Sequence, residues 1–190
     1  MSRAYRIRVS ESLKRVLRAA DRVSTQLELL EILPREQLAE QLAEELERRG
    51  FQRRGKSLVR QGNGVTVSVE PETGTVTVRA ETAKEVEIEG ERAGAVYDEQ
   101  NRAARKRSEE ALREALRQDL QRHADKKTAQ LQQEVTDRLE AQLGGLRQEL
   151  DQVVNRVTAE ALKRKAAHLG QIKEMTEDPQ SGSLTIVLEV

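Results

Sequence analysis

The chain has 190 residues, 36% of them hydrophobic and 35% charged, with 33 basic side chains against 33 acidic ones. The low apolar share limits the core to a modest size, and the even balance denies the molecule a whole-protein field for nucleic acid or an anionic membrane, leaving any such binding to local patches. Cysteine is absent, which excludes disulfides, thiolate metal sites and cysteine nucleophiles and makes the cytoplasm the expected compartment.

From Met1 to Val9 there is neither an apolar h-region nor a cleavage motif, and apolar runs elsewhere are only a few residues long, so a soluble, unexported protein without membrane insertion is expected. Tyr5, Ile7 and Val9 alternate with Arg6 and Arg8, which gives a first strand one apolar and one cationic face. The segment from Ser12 to Leu33 reads two ways. Leu13, Val16, Leu17, Ala20, Val23, Leu27 and Leu30 keep helical spacing, whereas Val23, Thr25, Leu27 and Leu29 alternate as a strand would. Val23-Ser24-Thr25 is poor helix material, which favours a hairpin turning near Ala20 to Arg22. Pro34 suits a helix's first turn, Leu38, Leu42, Ala43 and Leu46 form a stripe, and Gly50 ends it, which predicts a covering helix from Pro34 to Arg49.

Phe51 begins a run of short β pieces punctuated by Gly55 and by Gly62-Asn63-Gly64. Val65, Val67 and Val69 alternate before the turn Glu70-Pro71-Glu72-Thr73-Gly74, Val76 and Val78 after it, and Val86 and Ile88 extend the meander toward Gly90. Glu85, Glu87 and Glu89 make one face of the last piece anionic; a solvated face that discourages edge aggregation is the first reading, a cation or basic-partner site the second.

From Asp98 to about Leu169, Glu, Gln, Arg, Ala and Leu dominate and Pro is absent. Leu112, Leu116, Leu120, Leu131, Val135, Leu139, Leu143, Leu146, Leu150, Val153 and Val157 draw an intermittent coiled-coil seam. Gly144-Gly145 interrupts it, and two structures compete. A continuous helix keeps the heptad in phase and would be about 100 Å long at 1.5 Å per residue; an antiparallel hairpin of two arms, roughly 40 and 25 residues, would use the glycines for the reversal. The hairpin is preferred, because the turn text of Glu70 to Val78 recurs in Asp178-Pro179-Gln180-Ser181-Gly182-Ser183-Leu184-Thr185-Ile186 and a terminal β-hairpin needs a sheet to join. The echo is either a distant α-β-β duplication or recurrent hairpin chemistry.

Catalytic and metal-binding candidates are few. His123 and His168 stand 45 residues apart in helical text, with no i,i+3 or i,i+4 carboxylate motif that distinguishes them from the charged background. Glu109, Glu110, Glu114 and Asp119 read as solvated faces beside Arg113 and Arg117. Gly62-Asn63-Gly64 precedes a strand and not a helix, so it is a turn and not a phosphate loop. With no convergent catalytic set, neither an enzyme nor a cofactor or metal site is expected. Two basic clusters remain as the candidate interaction surface: Arg53, Arg54, Lys56 and Arg60 among the strands, and Arg102, Arg105, Lys106 and Arg107 at the start of the long helix, where they oppose the helix dipole. Only Tyr5, Phe51 and Tyr97 are aromatic, which weakens a base-stacking surface.

Tyr5-Arg6-Ile7-Arg8-Val9-Ser10-Glu11-Ser12, Ser24-Thr25-Gln26-Leu27-Glu28-Leu29-Leu30, and the ending from Ala161 through Gly170 to Gly182-Ser183-Leu184-Thr185-Ile186-Val187-Leu188-Glu189-Val190 resemble an uncharacterised bacterial accessory family. It is the family of small "X" domains of FtsH ternary systems, in which FtsH-like and MoxR-like AAA+ ATPases accompany von Willebrand A proteins. The resemblance implies a non-enzymatic adaptor or substrate-side component and transfers no functional residues.

The expected fold is α+β. A mainly antiparallel sheet domain spans 1–97, a long projecting helical hairpin 98–169, and a C-terminal β-hairpin at 170–190 rejoins the sheet. Protein interaction is the expected function, with an AAA+ ATPase or von Willebrand A protein as partner and self-association through the coiled coil as a further route. The alternative is nucleic-acid binding through clusters 53–60 and 102–107, for which salt-dependent retention on a polyanion is diagnostic.

Overall fold

The computed structural model describes residues 5–96, 102–177 and 184–189. The elements in chain order are β1 (Tyr5–Gln26), α1 (Arg35–Arg48), β2 (Gln52–Arg54), β3 (Ser57–Gly62), β4 (Val65–Glu70), β5 (Thr75–Val96), α2 (Arg102–Leu169), β6 (Gln171–Glu177) and β7 (Leu184–Glu189). The class is α+β as expected, with a five-stranded sheet in the order β1-β5-β4-β3-β2 and a separate two-stranded sheet of β6 and β7. The chain divides into two compact units, one of Met1–Ala20 with Glu81–Val135 and one of Asp21–Ala80 with Thr136–Val190.

In the second unit α1 forms where Pro34 leads it, with Glu36 in its first turn and Arg48 in its last, both placed to suit the helix dipole. Leu38, Leu42, Ala43 and Leu46 are all buried, as their spacing requires. The end is a Schellman closure: Gly50 N–H donates to the Glu47 carbonyl and Phe51 N–H to that of Leu46, at 3.0 and 3.1 Å, with Gly50 at φ +84°. β3 and β4 join through Asn63 and Gly64, at φ 53° and 74°, the paired positive dihedrals of a type I′ hairpin whose register sets Gly62 opposite Val65. Val65, Val67, Val69, Val76 and Val78 line the buried face of the sheet, and Thr66, Ser68 and Thr77 stay partly exposed on the other. Leu139, Leu146, Leu150, Val153 and Val157 are the buried stripe of this part of α2.

In the first unit a two-stranded stretch of β1 and β5 packs on α2. Its core is Val9, Ile88, Leu116, Leu120 and Ala124, edged by Ile7, Leu13, Val86 and Leu112. Two glycines make the helix fit: a Cβ on Gly90 would lie 2.8 Å from Leu116 Cδ1, and one on Gly94 2.8 Å from Leu112 Cδ1.

Three expectations are corrected. The hairpin near Ala20 to Arg22 does not form, and neither does the alternative helix: β1 is one strand. Its odd positions alternate inward, with Val9, Leu17 and Ala19 buried, and Asp21 is held in line by accepting a hydrogen bond from the Thr136 hydroxyl at 2.8 Å.

The helical hairpin is replaced by one uninterrupted helix of 68 residues. Gly144 and Gly145 are helical and exposed; flanking Leu139, Leu146 and Leu150 are buried, and the burial of such residues outweighs the roughly 1 kcal/mol that each glycine costs a helix. In the first unit the leucines of the expected coiled-coil seam are covered by strands of their own chain.

The C-terminal strands do pair, with Met175 opposite Ile186 and Thr176 opposite Thr185, but they pair only with each other among the described residues and do not rejoin the five-stranded sheet. The turn text at 178–183 lies outside the described residues.

Candidate interaction surface

The strand cluster does not form one cationic patch. Arg53 Nε donates to Glu47 Oε1 at 3.0 Å, while Arg54 and Lys56 are exposed on either side of the turn at Gly55. Arg60 is turned inward. Its guanidinium lies 4.5 Å from the centroid of the Phe51 ring, donates to the Arg49 carbonyl at 3.2 Å, and grips Glu149 of α2 through two bonds of 2.7 and 2.6 Å. This fork holds the Glu149 carboxyl below the usual carboxylate range, through the hydrogen bonds first and despite partial burial. Arg60 therefore ties β3 to α2 and is not a free surface cation.

The helix cluster has the opposite character. Arg102, Arg105, Lys106 and Arg107 are all exposed, in the opening turns of a helix whose first turn holds no acidic residue. Lys106 Nζ lies 3.9 Å from Glu110 Oε1, an i,i+4 pair with both groups largely solvated and so of little energetic weight. Glu109 accepts from Arg113 at 2.8 Å, and Asp119 from Arg122 at 2.7 Å, so these carboxylates are engaged as helix-surface pairs.

The anionic row Glu85, Glu87 and Glu89 of β5 is exposed, and ion pairs to β1 form at Glu87 and at Glu91 beyond it. Glu91 pairs with Arg8 and Glu87 with Lys14 of the neighbouring β1, an arrangement in which cross-strand opposite charges support the ladder. On the helix side of the same stretch, Arg117 forks Glu11 at 2.9 and 3.2 Å, and this hydrogen bonding raises the arginine's pKa. His123 and His168 are both exposed, and among the described residues no group of three or more His, Asp or Glu could hold a metal.

A groove that no sequence pattern singles out lies in the second unit. It has a volume of about 950 Å³ and is lined on the strand side by Val23, Thr25 and Leu27 and on the helix side by Leu143, Leu146, Leu150 and Val154. Its walls come from stretches more than a hundred residues apart, so only the fold assembles it; in the sequence the two walls are separate signals, the alternation of Val23, Thr25 and Leu27 and the seam of Leu143, Leu146 and Leu150.

Fold and surface together define an α+β protein built from a mostly antiparallel sheet, a covering helix and one very long helix, with a basic helix start and an open groove as its accessible features. The chain belongs to the family FtsH ternary system domain X5, whose model matches residues 1–190. Comparison with curated proteins and with solved structures gives no match. Among the described residues, no helix is long and apolar enough to cross a membrane.

Proposed function

We propose that the chain is a non-enzymatic adaptor, a cytoplasmic protein-interaction component whose partner is an AAA+ ATPase or a von Willebrand A protein of its ternary system. Membership of the X5 family over residues 1–190 carries this reading. The geometry adds the surface: Arg102, Arg105, Lys106 and Arg107 stand exposed where the helix dipole disfavours cations, so their placement gains nothing for the helix and suits an acidic protein surface.

Affinity purification of the native protein after crosslinking tests the proposal. An ATPase or von Willebrand A protein recovered with the wild type and lost when the four helix cations become alanine supports it. Recovery of neither counts against it. Retention on a polyanion that weakens steeply with salt and vanishes in the same variant would favour nucleic acid instead.

A further inference from the structure

The sheet has two edges, and they are treated differently. β2 is three residues long and carries Arg53 and Arg54, a short, charged edge of the kind that resists pairing. β1 is the opposite edge. Its last residues, Arg22 to Gln26, and the Leu27-Glu28 that follow them contain no proline or lysine, and this stretch borders the groove at Val23, Thr25 and Leu27.

The direction of its backbone groups follows from the bonds on its other side. Leu27 N–H donates to the Gly74 carbonyl at 2.8 Å, so the odd residues of this stretch bond inward to β5 and the even residues, Ser24 and Gln26, point to the open edge. Arg22 N–H is answered by the Asp21 carboxylate at 2.8 Å, which closes the ladder at that end. Val23 is 39% exposed, and Ser24, Thr25 and Gln26 are exposed as well.

We propose that a second copy of this chain pairs antiparallel with this edge, on a two-fold axis through Thr25. Arg22-Val23-Ser24-Thr25-Gln26-Leu27-Glu28 is complementary to itself in that register. Arg22 meets Glu28 of the other copy twice over, Val23 meets Leu27 above the groove, and Thr25 meets its own equivalent. Ser24 and Gln26 form the hydrogen-bonded pairs, as their outward backbone groups require, and Thr25 the non-hydrogen-bonded one. Charge disfavours the upstream register centred on Ser12, which would set Arg6 against Arg18. The interface is a short one, which fits a concentration-dependent dimer and not a permanent one.

Sedimentation equilibrium on the full chain, with charge swaps and a cysteine placed at the axis, tests the proposal. R22E opposes two carboxylates and E28R two guanidinium groups; each should weaken the dimer by about tenfold or more, and the double variant should restore it. Because the native chain has no cysteine, T25C supplies a single thiol whose counterpart sits at the roughly 4.5 Å Cα spacing of a non-hydrogen-bonded pair, within disulfide reach. T25C should therefore oxidise to a covalent dimer well before V16C, an exposed control on the same strand. A chain that stays monomeric, a dimer indifferent to both charge variants, or equal crosslinking of T25C and V16C would overturn the proposal.

Discussion

The two units of the chain are built from the same kinds of element and held together differently. Of the described apolar residues that are buried, nineteen belong to the second unit and nine to the first, so the second has a core in the ordinary sense and the first a single seam. What the first unit lacks in burial it replaces with close packing at Gly90 and Gly94 and with charge rows, Arg8 to Glu91, Lys14 to Glu87 and Arg117 to Glu11. Exposed ion pairs contribute little each. A long helix can therefore run at even secondary structure through surroundings of uneven stability.

The sharpest way to break that contrast is in the better core. Leu46 is fully buried, and Leu46→Ala should cost about 2–5 kcal/mol in urea unfolding; a loss below 1 kcal/mol would deny the second unit its core. In the first unit the weak point is space, not volume lost. Gly90→Val adds atoms where Leu116 and Leu120 already approach within 2.8 and 3.0 Å of a modest Cβ, and a cost of about 1–3 kcal/mol is expected, read as a drop in the denaturant midpoint.

Glu149→Gln removes the charge from the fork to Arg60 and should cost about 1–2 kcal/mol at neutral pH. Because the folded-state carboxyl titrates below its unfolded range, its contribution is complete above the ordinary carboxylate pKa and is lost as pH falls through the lowered one. The gap between wild type and variant should accordingly narrow on acidification; a gap that is constant with pH would show that the pair does not titrate as described.

Gly144→Ala and Gly145→Ala change the sign. A Cβ at either position meets no atom within 4 Å, and each should stabilise the helix by about 1 kcal/mol in thermal melts. Smallest of all, replacing Arg102, Arg105, Lys106 and Arg107 with alanine should move stability by no more than about 0.5 kcal/mol while, on the proposed function, abolishing capture of a protein partner.

Much of the fold was legible in the sequence because local rules and tertiary demand agree there. Pro34, the stripe from Leu38 to Leu46 and Gly50 dictate α1, and Asn63-Gly64 and Pro71 to Gly74 dictate their turns. Where the reading went astray, a local signal was outvoted by packing. Gly144-Gly145 is a break on propensity alone, yet the buried leucines on both sides keep the helix continuous through it. Ser12 to Leu33 carries both periods, and pairing with a strand as long as β5 decides between them.

Of the candidate surface, the basic helix start was legible from charge, and it is exposed as such a cluster should be. Arg60 looked the same in the sequence as Arg53 and Arg54; only the fold shows that it faces Glu149, 89 residues away. The groove beside β1 was not legible, since no local pattern joins residues 23–28 to 143–155.

The contrast between the units is tested most directly by native-state hydrogen exchange along α2. Amides from Leu139 to Val157 should exchange only with global unfolding, and those from Leu112 to Ala124 through openings of lower free energy that become easier as salt is raised. Uniform protection along the whole helix, insensitive to salt, would contradict it.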